Sequence, residues 1–308
     1  MRGRAGFMLL ELVIAAAITC AVAALLFRLA IAAQSAVSVQ GSTADQQQRL
    51  RVAAEALRHD LSMAGAGPAR GAGRGPLIRI FPPVLPARVG LIRPDPELTA
   101  QSDRISIVYV PETHAQTALQ TGMAASSSPL AIDGSAPGCV PGTACDFVPG
   151  DRAVIYDPTV EGGAHELLTV AGVDAARALL VPSAPLSRPY PSGARVALVV
   201  VRSYYFDPAG RRLMAYDGVR SDLPLVDRVA EMEVGYFADR GGTALQPLPI
   251  AQLADGPLAG EAPNRFDADL LRIRRVRIRL RLQNESRTGS VRDLETTVDV
   301  APPNMAVR

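Results

Sequence analysis

The sequence predicts an α+β protein in which one long N-terminal helix is followed by a β-rich body. Three observations support this prediction. The first 64 residues contain no proline and combine an apolar run with a helical pattern. The rest of the chain is rich in turn residues, since 26 glycines and 25 prolines make up about a sixth of all 308 residues. Short alternating apolar segments recur there, as in strands separated by turns.

The N-terminal segment is basic over its first six residues and becomes apolar immediately after Gly6. From Phe7 to residue 33 the only charged residues are Glu11 and Arg28. At 1.5 Å rise per residue, a helix from Phe7 to Arg28 is roughly 33 Å long, about the thickness of a bilayer's hydrocarbon core. We therefore predict a membrane-spanning helix over residues 7–33, with Arg28 reaching the headgroups at its far end.

Two features distinguish this segment from a secretory signal peptide. A signal peptide carries its cleavage site after the apolar region. Here the small residue, Gly6, precedes that region, so cleavage after it would leave the apolar segment on the mature protein. Glu11 is the second feature, because a carboxylate at mid-membrane costs about 2.5–3.5 kcal/mol without a partner. The alternative is an ordinary signal anchor with a chance glutamate.

The order Gly6, Phe7 and Glu11 within an apolar run resembles the N-terminal signal of type IV pilins and type II secretion pseudopilins. The resemblance implies that a prepilin peptidase cuts after Gly6, the end of a leader of residues 1–6, and that the new N-terminal Phe7 is methylated. It also implies that Glu11 pairs with the N-terminal amine of an adjacent subunit. The protein would then be a single-pass protein of the inner membrane with a periplasmic body, before incorporation into a pilus at the cell surface.

The helical pattern continues past the apolar segment, over residues 34–65. Its apolar side chains recur at i, i+3 and i+4 spacing along one face, and they are Leu50, Ala53, Ala54, Leu57, Leu61 and Ala64. Charged residues occupy the other faces. We therefore expect one helix to leave the membrane, become amphipathic and pack this stripe on the body. The glycines and proline that follow residue 64 end it.

Residues 66–308 form the predicted β-rich body. Residues 113–147 lack periodicity and are predicted as a long surface loop. The longest apolar run of the body, at residues 195–206, is predicted as one central strand. A β-rich inserted lobe is expected at about residues 150–200.

Several blocks of the body resemble, in their order, those of PilW-type minor pilins. This resemblance implies a pilin-like fold, with the helix packed on an antiparallel β-sheet. It also implies other minor and major pilins and the pilus assembly platform as partners, besides the prepilin peptidase. The blocks lie at residues 56–67, 150–157, 202–218, 224–239, 273–282 and 292–305.

Two cysteines, Cys139 and Cys145, enclose a short segment beyond the membrane helix. In an oxidising compartment such a pair is expected to form a disulfide. Two free or metal-binding thiols are the alternative, although no second cysteine pair or nearby histidine supplies further ligands. Cys20 falls within the apolar segment, where it is predicted to act as a small apolar residue.

The segment at residues 273–282 alternates arginines with apolar residues. Successive side chains of a strand point to opposite faces, so one face should carry Arg275, Arg277, Arg279 and Arg281. Three interpretations are a solvated face that discourages edge pairing, a contact with a partner subunit, and binding of DNA phosphates. Nucleic acid is the least favoured, because no aromatic residues are interleaved with the arginines. The whole chain also has 32 basic against 30 acidic residues and so no global basic field.

No catalytic motif accompanies these features. The chain contains no G-x-S-x-G, H-E-x-x-H or C-x-x-C pattern, so we predict no enzyme, no cofactor and no metal site. The resemblances imply a non-catalytic minor pilin that helps to initiate or cap a type IV pilus. The alternatives are a minor pseudopilin of a type II secretion system, a tip adhesin or DNA-uptake module, and a membrane-anchored protein that joins no filament.

Overall fold

A computed structural model describes residues 9–69, 75–159, 165–239, 241, 244–259, 265–285 and 291–306. Gly6 and Phe7, the predicted processing site, lie outside the described residues. The described chain is α+β, as predicted: a single long helix, α1 (Leu9–Met63), is followed by strands in antiparallel sheets. At 1.5 Å per residue this helix is roughly 80 Å long. Short 3-10 helices lie at Leu77–Arg79, Ala144–Asp146, Ile250–Leu253, Ala268–Arg272 and Pro303–Met305.

The strands form three larger sheets and one two-stranded ribbon. In chain order they are β1 (Val84–Leu85), β2 (Arg104–Tyr109), β3 (Gln116–Ala118), β4 (Leu130–Ala131), β5 (Arg152–Tyr156), β6 (His165–Asp174), β7 (Leu179–Pro182), β8 (Arg195–Leu198), β9 (Val200–Asp207), β10 (Arg212–Tyr216), β11 (Asp222–Asp227), β12 (Val229–Ala238), β13 (Gln246–Leu248), β14 (Leu258–Ala259), β15 (Phe266–Asp267), β16 (Ile273–Glu285) and β17 (Val291–Val300). The main sheet has the order β1-β2-β9-β10-β11, and the C-terminal sheet has the order β13-β12-β16-β17. The lobe sheet has the order β3-β8-β5-β6-β7-β4, and β14 pairs with β15.

The second half of α1 packs its apolar stripe into the core of the body. All six residues of the predicted stripe are at most 7% exposed. They belong to one hydrophobic core together with residues of the main sheet, such as Ile105 and Val201, and of the C-terminal sheet, such as Val298. The predicted helical spacing over residues 50–64 is therefore the spacing of the buried face.

The lobe begins earlier in the chain than predicted. Its sheet uses residues 116–198 and not only about 150–200, and the predicted surface loop 113–147 supplies β3 and β4. These strands are two and three residues long, too short for an alternating pattern to be recognised in the sequence. The same segment also contributes buried residues to the lobe's own core, namely Ala115, Leu119, Leu130, Ile132, Ala144, Cys145 and Phe147.

The single central strand predicted at residues 195–206 is wrong. It is two strands, β8 in the lobe sheet and β9 in the main sheet, separated at Val199. Val199 itself is buried in the main core, and its N–H donates to the carbonyl of Arg152. The apolar run therefore crosses from one sheet to the other without becoming exposed, and periodicity alone cannot show such a crossing.

The lobe packs on the body through β5 and an aromatic cluster. Ala153 and Ile155 point into the lobe core, whereas Val154 and Tyr156 point into the main core. Because both faces of β5 are buried, the strand reads as a continuous apolar run instead of an alternating one. Beside it, the ring of His165 in the lobe contacts two aromatic rings of the body, those of Phe81 at 5.3 Å and Phe266 at 5.5 Å, which also contact each other at 5.9 Å.

Candidate assembly site

The first part of α1 is apolar and exposed on every side. Residues Glu11–Ile31 form a segment of 21 residues with a mean hydropathy of 2.4, and none of it is buried against the rest of the chain. At 1.5 Å per residue it is roughly 31 Å long, close to one hydrocarbon thickness. Its threonine, Thr19, donates its hydroxyl to the carbonyl of Ala15 at 2.7 Å, which satisfies that polar group within the helix. One N-terminal helix is therefore long and apolar enough to span a membrane.

Glu11 lies in the first turn of the described helix. Within the part of the chain that the structure describes, no basic side chain lies within ion-pair distance of its carboxylate. In apolar surroundings, a carboxylate needs a cation or hydrogen-bond donors close to it. Among the described residues, Glu11 is thus an acidic group without an ionic partner.

Cys139 and Cys145 are joined by a disulfide in the lobe. Cys145 is completely buried, and both cysteines pack in or against the lobe core. The bond closes the turn that leads from residue 138 back to the lobe sheet. Cys20 is the free cysteine of the described chain and lies exposed on the apolar part of α1.

The four arginines of β16 share one face of the C-terminal sheet, as predicted. The opposite face of the strand is buried in the main core through Val276, Ile278, Leu280 and Leu282, each at most 1% exposed. On the arginine face, the guanidinium groups of Arg275 and Arg277 lie over the ring of Phe237 on β12, at 5.6 and 5.0 Å from its centroid.

Each of these arginines is ion-paired with carboxylates on the neighbouring strands. Arg275 and Arg277 both bind the carboxylate of Asp299 on β17, at 2.6 and 2.8 Å. The remaining pairs bridge β16 to both neighbours, and they are Arg279–Glu233 (3.3 Å), Arg279–Glu295 (3.2 Å), Arg281–Glu231 (2.8 Å) and Arg281–Asp293 (3.1 Å). We refer to these nine residues as the charge ladder.

The charge ladder carries no excess of positive charge. Its four guanidinium groups face five carboxylates, so its formal net charge is −1. Binding to nucleic acid depends on uncompensated basic groups that displace counterions from phosphates. The ladder therefore favours a solvated sheet face over a DNA-binding row, and contact with a partner subunit stays a prediction.

The pairing also shifts the ionisation of the ladder. The hydrogen bond from Arg275 holds the pKa of the Asp299 carboxyl below its usual value, although partial burial acts in the opposite direction. Hydrogen bonding to Asp299 likewise raises the pKa of Arg275, and hydrogen bonding to Glu231 raises that of Arg281. Each of these three pKa shifts favours the charged form of its group.

The predicted residues do not converge on one site. Glu11 lies on the exposed part of α1, the cysteines lie in the lobe, and the arginines lie on the C-terminal sheet. No group of three or more His, Cys, Asp or Glu side chains that could hold a metal ion occurs among the described residues. The structure adds one feature that sequence reasoning missed, a cavity between the loop that precedes β2, the lobe and the segment around residues 250–270, with Arg152 in its lining. No motif marks it, because its lining comes from distant parts of the chain.

Comparison with protein-family models, with curated proteins and with solved structures finds no match to this chain.

Proposed function

We propose that this chain is a minor pilin of a type IV pilus, a non-catalytic structural subunit that helps to initiate or cap pilus assembly. One observation carries the proposal. Glu11, without a partner in the described chain, stands at the beginning of a 21-residue apolar helix that is not buried by its own protein. A helix that is apolar all round requires lipid or other helices around it, and its carboxylate requires a cation.

In this proposal the filament supplies both requirements. The prepilin peptidase cuts after Gly6 and leaves an amine on Phe7, and Glu11 of one subunit pairs with that amine on its neighbour. The apolar helices then pack together in the filament core, while the sheets and the lobe face outward. Before assembly the protein is held in the inner membrane by the same helix, with its body in the periplasm. The disulfide fits this location, because disulfides form in oxidising compartments.

The large body supports a role at the end of a filament more than along it. The lobe enlarges the body through a separate sheet and core that lie beyond the main sheet. A bulky subunit of this kind suits a position that is used once in a filament. The minor pseudopilin of a type II secretion system has the same anchor chemistry and is the second candidate.

The substitution Glu11→Ala tests the proposal in cells. We expect cleavage after Gly6 to continue, which the mass of the mature protein measures, and incorporation into pili to fall to background in sheared filament fractions. The matched control is Glu55→Ala, which removes an exposed carboxylate from the second half of the same helix. This control should assemble normally.

Three results would contradict parts of the proposal. Normal assembly of the Glu11→Ala variant would show that filament assembly does not depend on this carboxylate. Absence of cleavage in the unsubstituted protein would exclude a prepilin. Loss of protein secretion with intact pili, after deletion of the whole chain, would assign the subunit to a secretion system instead.

A further inference from the structure

A cavity of about 320 Å³ lies between the loop that precedes β2, the lobe and the segment around residues 250–270. This volume is in the range of small-molecule sites. Most of its wall is apolar, and the side chains that form this part are Phe81, Leu85, Leu167, Leu253, Phe266 and Leu270. All of them except Leu167 are at most 9% exposed. The cavity is therefore bounded by well-packed residues.

The wall of the cavity includes a cation that forms no ion pair among the described residues. Arg152, at the start of β5, lines it, and the Nε and Nη1 atoms of its guanidinium are buried without a hydrogen-bond partner in the described chain. None of the described carboxylates forms an ion pair with it. Its pKa is lowered, mainly because burial removes water from the charged group. Burying a charge in this way is costly unless an anion compensates it.

The other charged groups of the cavity are already engaged. Arg88 also lines the wall, but its guanidinium binds Asp222 at 2.9 Å and lies over the ring of Tyr205 at 4.5 Å. The carboxylate of Asp95 accepts hydrogen bonds from the guanidinium of Arg104 and from the backbone N–H of Arg88.

Asp267, another carboxylate of the wall, is 1% exposed and is likewise held within the protein. It accepts the backbone N–H groups of Gly256 at 2.6 Å and Asp269 at 2.8 Å. Two further charged side chains of the lining, Glu97 and Arg265, are exposed. Arg152, which is half-buried, is thus the shielded cation of the described wall that forms no ion pair with a described carboxylate.

We propose that this cavity binds a small organic carboxylate with an apolar or aromatic body, and that Arg152 pairs with its carboxylate. A guanidinium forms strong, charge-assisted hydrogen bonds with a carboxylate. The phenylalanine and leucine side chains of the wall then cover the body of the ligand. The proposal does not depend on the pilin function, because it concerns a part of the molecule far in sequence from the apolar helix.

Binding of phenylacetate to the full chain in detergent tests the proposal. Phenylacetamide is the matched probe, since it has the same ring and shape but no charge. By calorimetric titration we expect phenylacetate to bind at least about tenfold more tightly than phenylacetamide, because a hydrogen bond between two charged groups is stronger than one to a neutral amide. The substitution Arg152→Met should abolish this difference and leave the melting temperature of the unliganded protein unchanged or higher.

Further variants keep the proposal falsifiable if Arg152→Met does not fold. Arg152→Lys preserves the charge and should keep part of the preference for phenylacetate. Ala87→Phe narrows the cavity from its wall and should weaken both probes while Arg152 stays in place. Arg177→Met, which removes a highly exposed arginine of the lobe, should bind as the unsubstituted protein does. Equal binding of the two probes, no binding of phenylacetate, or unchanged affinity in the Arg152 variants would overturn the proposal.

Discussion

Asp60 is an acidic residue on the buried side of α1. It is 7% exposed, and its carboxylate accepts a hydrogen bond of 2.7 Å from the hydroxyl of Tyr204 on β9. Burial, followed by the charge of Asp60, raises the pKa of Tyr204 well above its usual value, so the tyrosine remains a donor at any physiological pH. This contact connects the helix with the main sheet through a polar group inside an apolar interface.

Tyr204→Phe removes the donor and leaves the buried carboxylate of Asp60 without it. We expect the free energy of unfolding to fall by about 1–3 kcal/mol, the cost of an unsatisfied buried polar group, as measured by chemical denaturation. Tyr205→Phe is the control. The hydroxyl of Tyr205 also binds a carboxylate, that of Asp222, but Asp222 keeps its ion pair with Arg88. If both variants lost the same free energy of unfolding, an unsatisfied carboxylate at Asp60 would cost no more than one lost hydrogen bond at Asp222.

The C-terminal sheet shows that the charge balance of a strand's face cannot be predicted from the sequence of that strand alone. The alternation in β16 correctly predicts which face the arginines occupy, because a strand has a strict period of two. The carboxylates that neutralise them come from β12 and from β17. Their positions depend on the register of two strand pairs, in which Glu233 lies opposite Arg279 and Asp299 lies opposite Arg277. Register is a tertiary property, so the balance of charge in the ladder could not be predicted.

The charge ladder should make the stability of this sheet depend on pH in the acid range. The pKa of Asp299 in the folded protein is lower than the value of about 3.9 expected in the unfolded chain. The stability that the ionised Asp299 adds to the folded protein is therefore fully present at pH values above the pKa of the unfolded state. It is lost as the pH falls through the pKa of the folded state. We expect Asp299→Asn to be less stable than the unsubstituted protein at pH 7 by at most about 1 kcal/mol, since the ion pairs are largely exposed. The two proteins should converge towards pH 2, and a constant difference across pH 2–7 would contradict this account.

The disulfide belongs to the lobe and should stabilise it. For such a short loop, the chain-entropy model gives about 2 kcal/mol, so the double variant Cys139→Ala with Cys145→Ala should unfold at a lower denaturant concentration. Alkylation followed by mass measurement checks the bond itself. One thiol, that of Cys20, should react in the denatured unreduced protein, and three should react after reduction. Three reactive thiols without reduction would contradict the disulfide.

At the level of elements, the predictions succeed where a pattern is long and fail where an element is short. The helical stripe from Leu50 to Ala64 and the strand β16 extend over several repeats, and both have the predicted buried faces. Strands β3 and β4 are too short to show a repeat. Within the run at residues 195–206, residues 196–201 are all apolar, so no polar residue marks the passage from the lobe sheet to the main sheet at Val199.

At the scale of the whole molecule, α1 performs two physically different tasks in one continuous helix. Residues Glu11–Ile31 have no buried surface, whereas the stripe that begins near Leu50 lies in the core. Of the two halves of α1, only the second therefore contributes to the stability of the body. The first half remains available to a membrane or to other helices. Because the first half is not part of the core, a change in what surrounds it does not require the core to change.

Truncation tests this division of the helix. A chain that lacks residues 1–33 should keep the melting temperature of the full protein within about 2 °C, because no described side chain of residues 11–31 is buried. It should also remain in solution without detergent. A chain that begins at residue 52 additionally loses Gln46 and Leu50, which are 5% and 7% exposed. Loss of the buried leucine should lower its free energy of unfolding by roughly 1.5–3 kcal/mol. Equal destabilisation by the two truncations would mean that the apolar half supports the body, contrary to the packing described above.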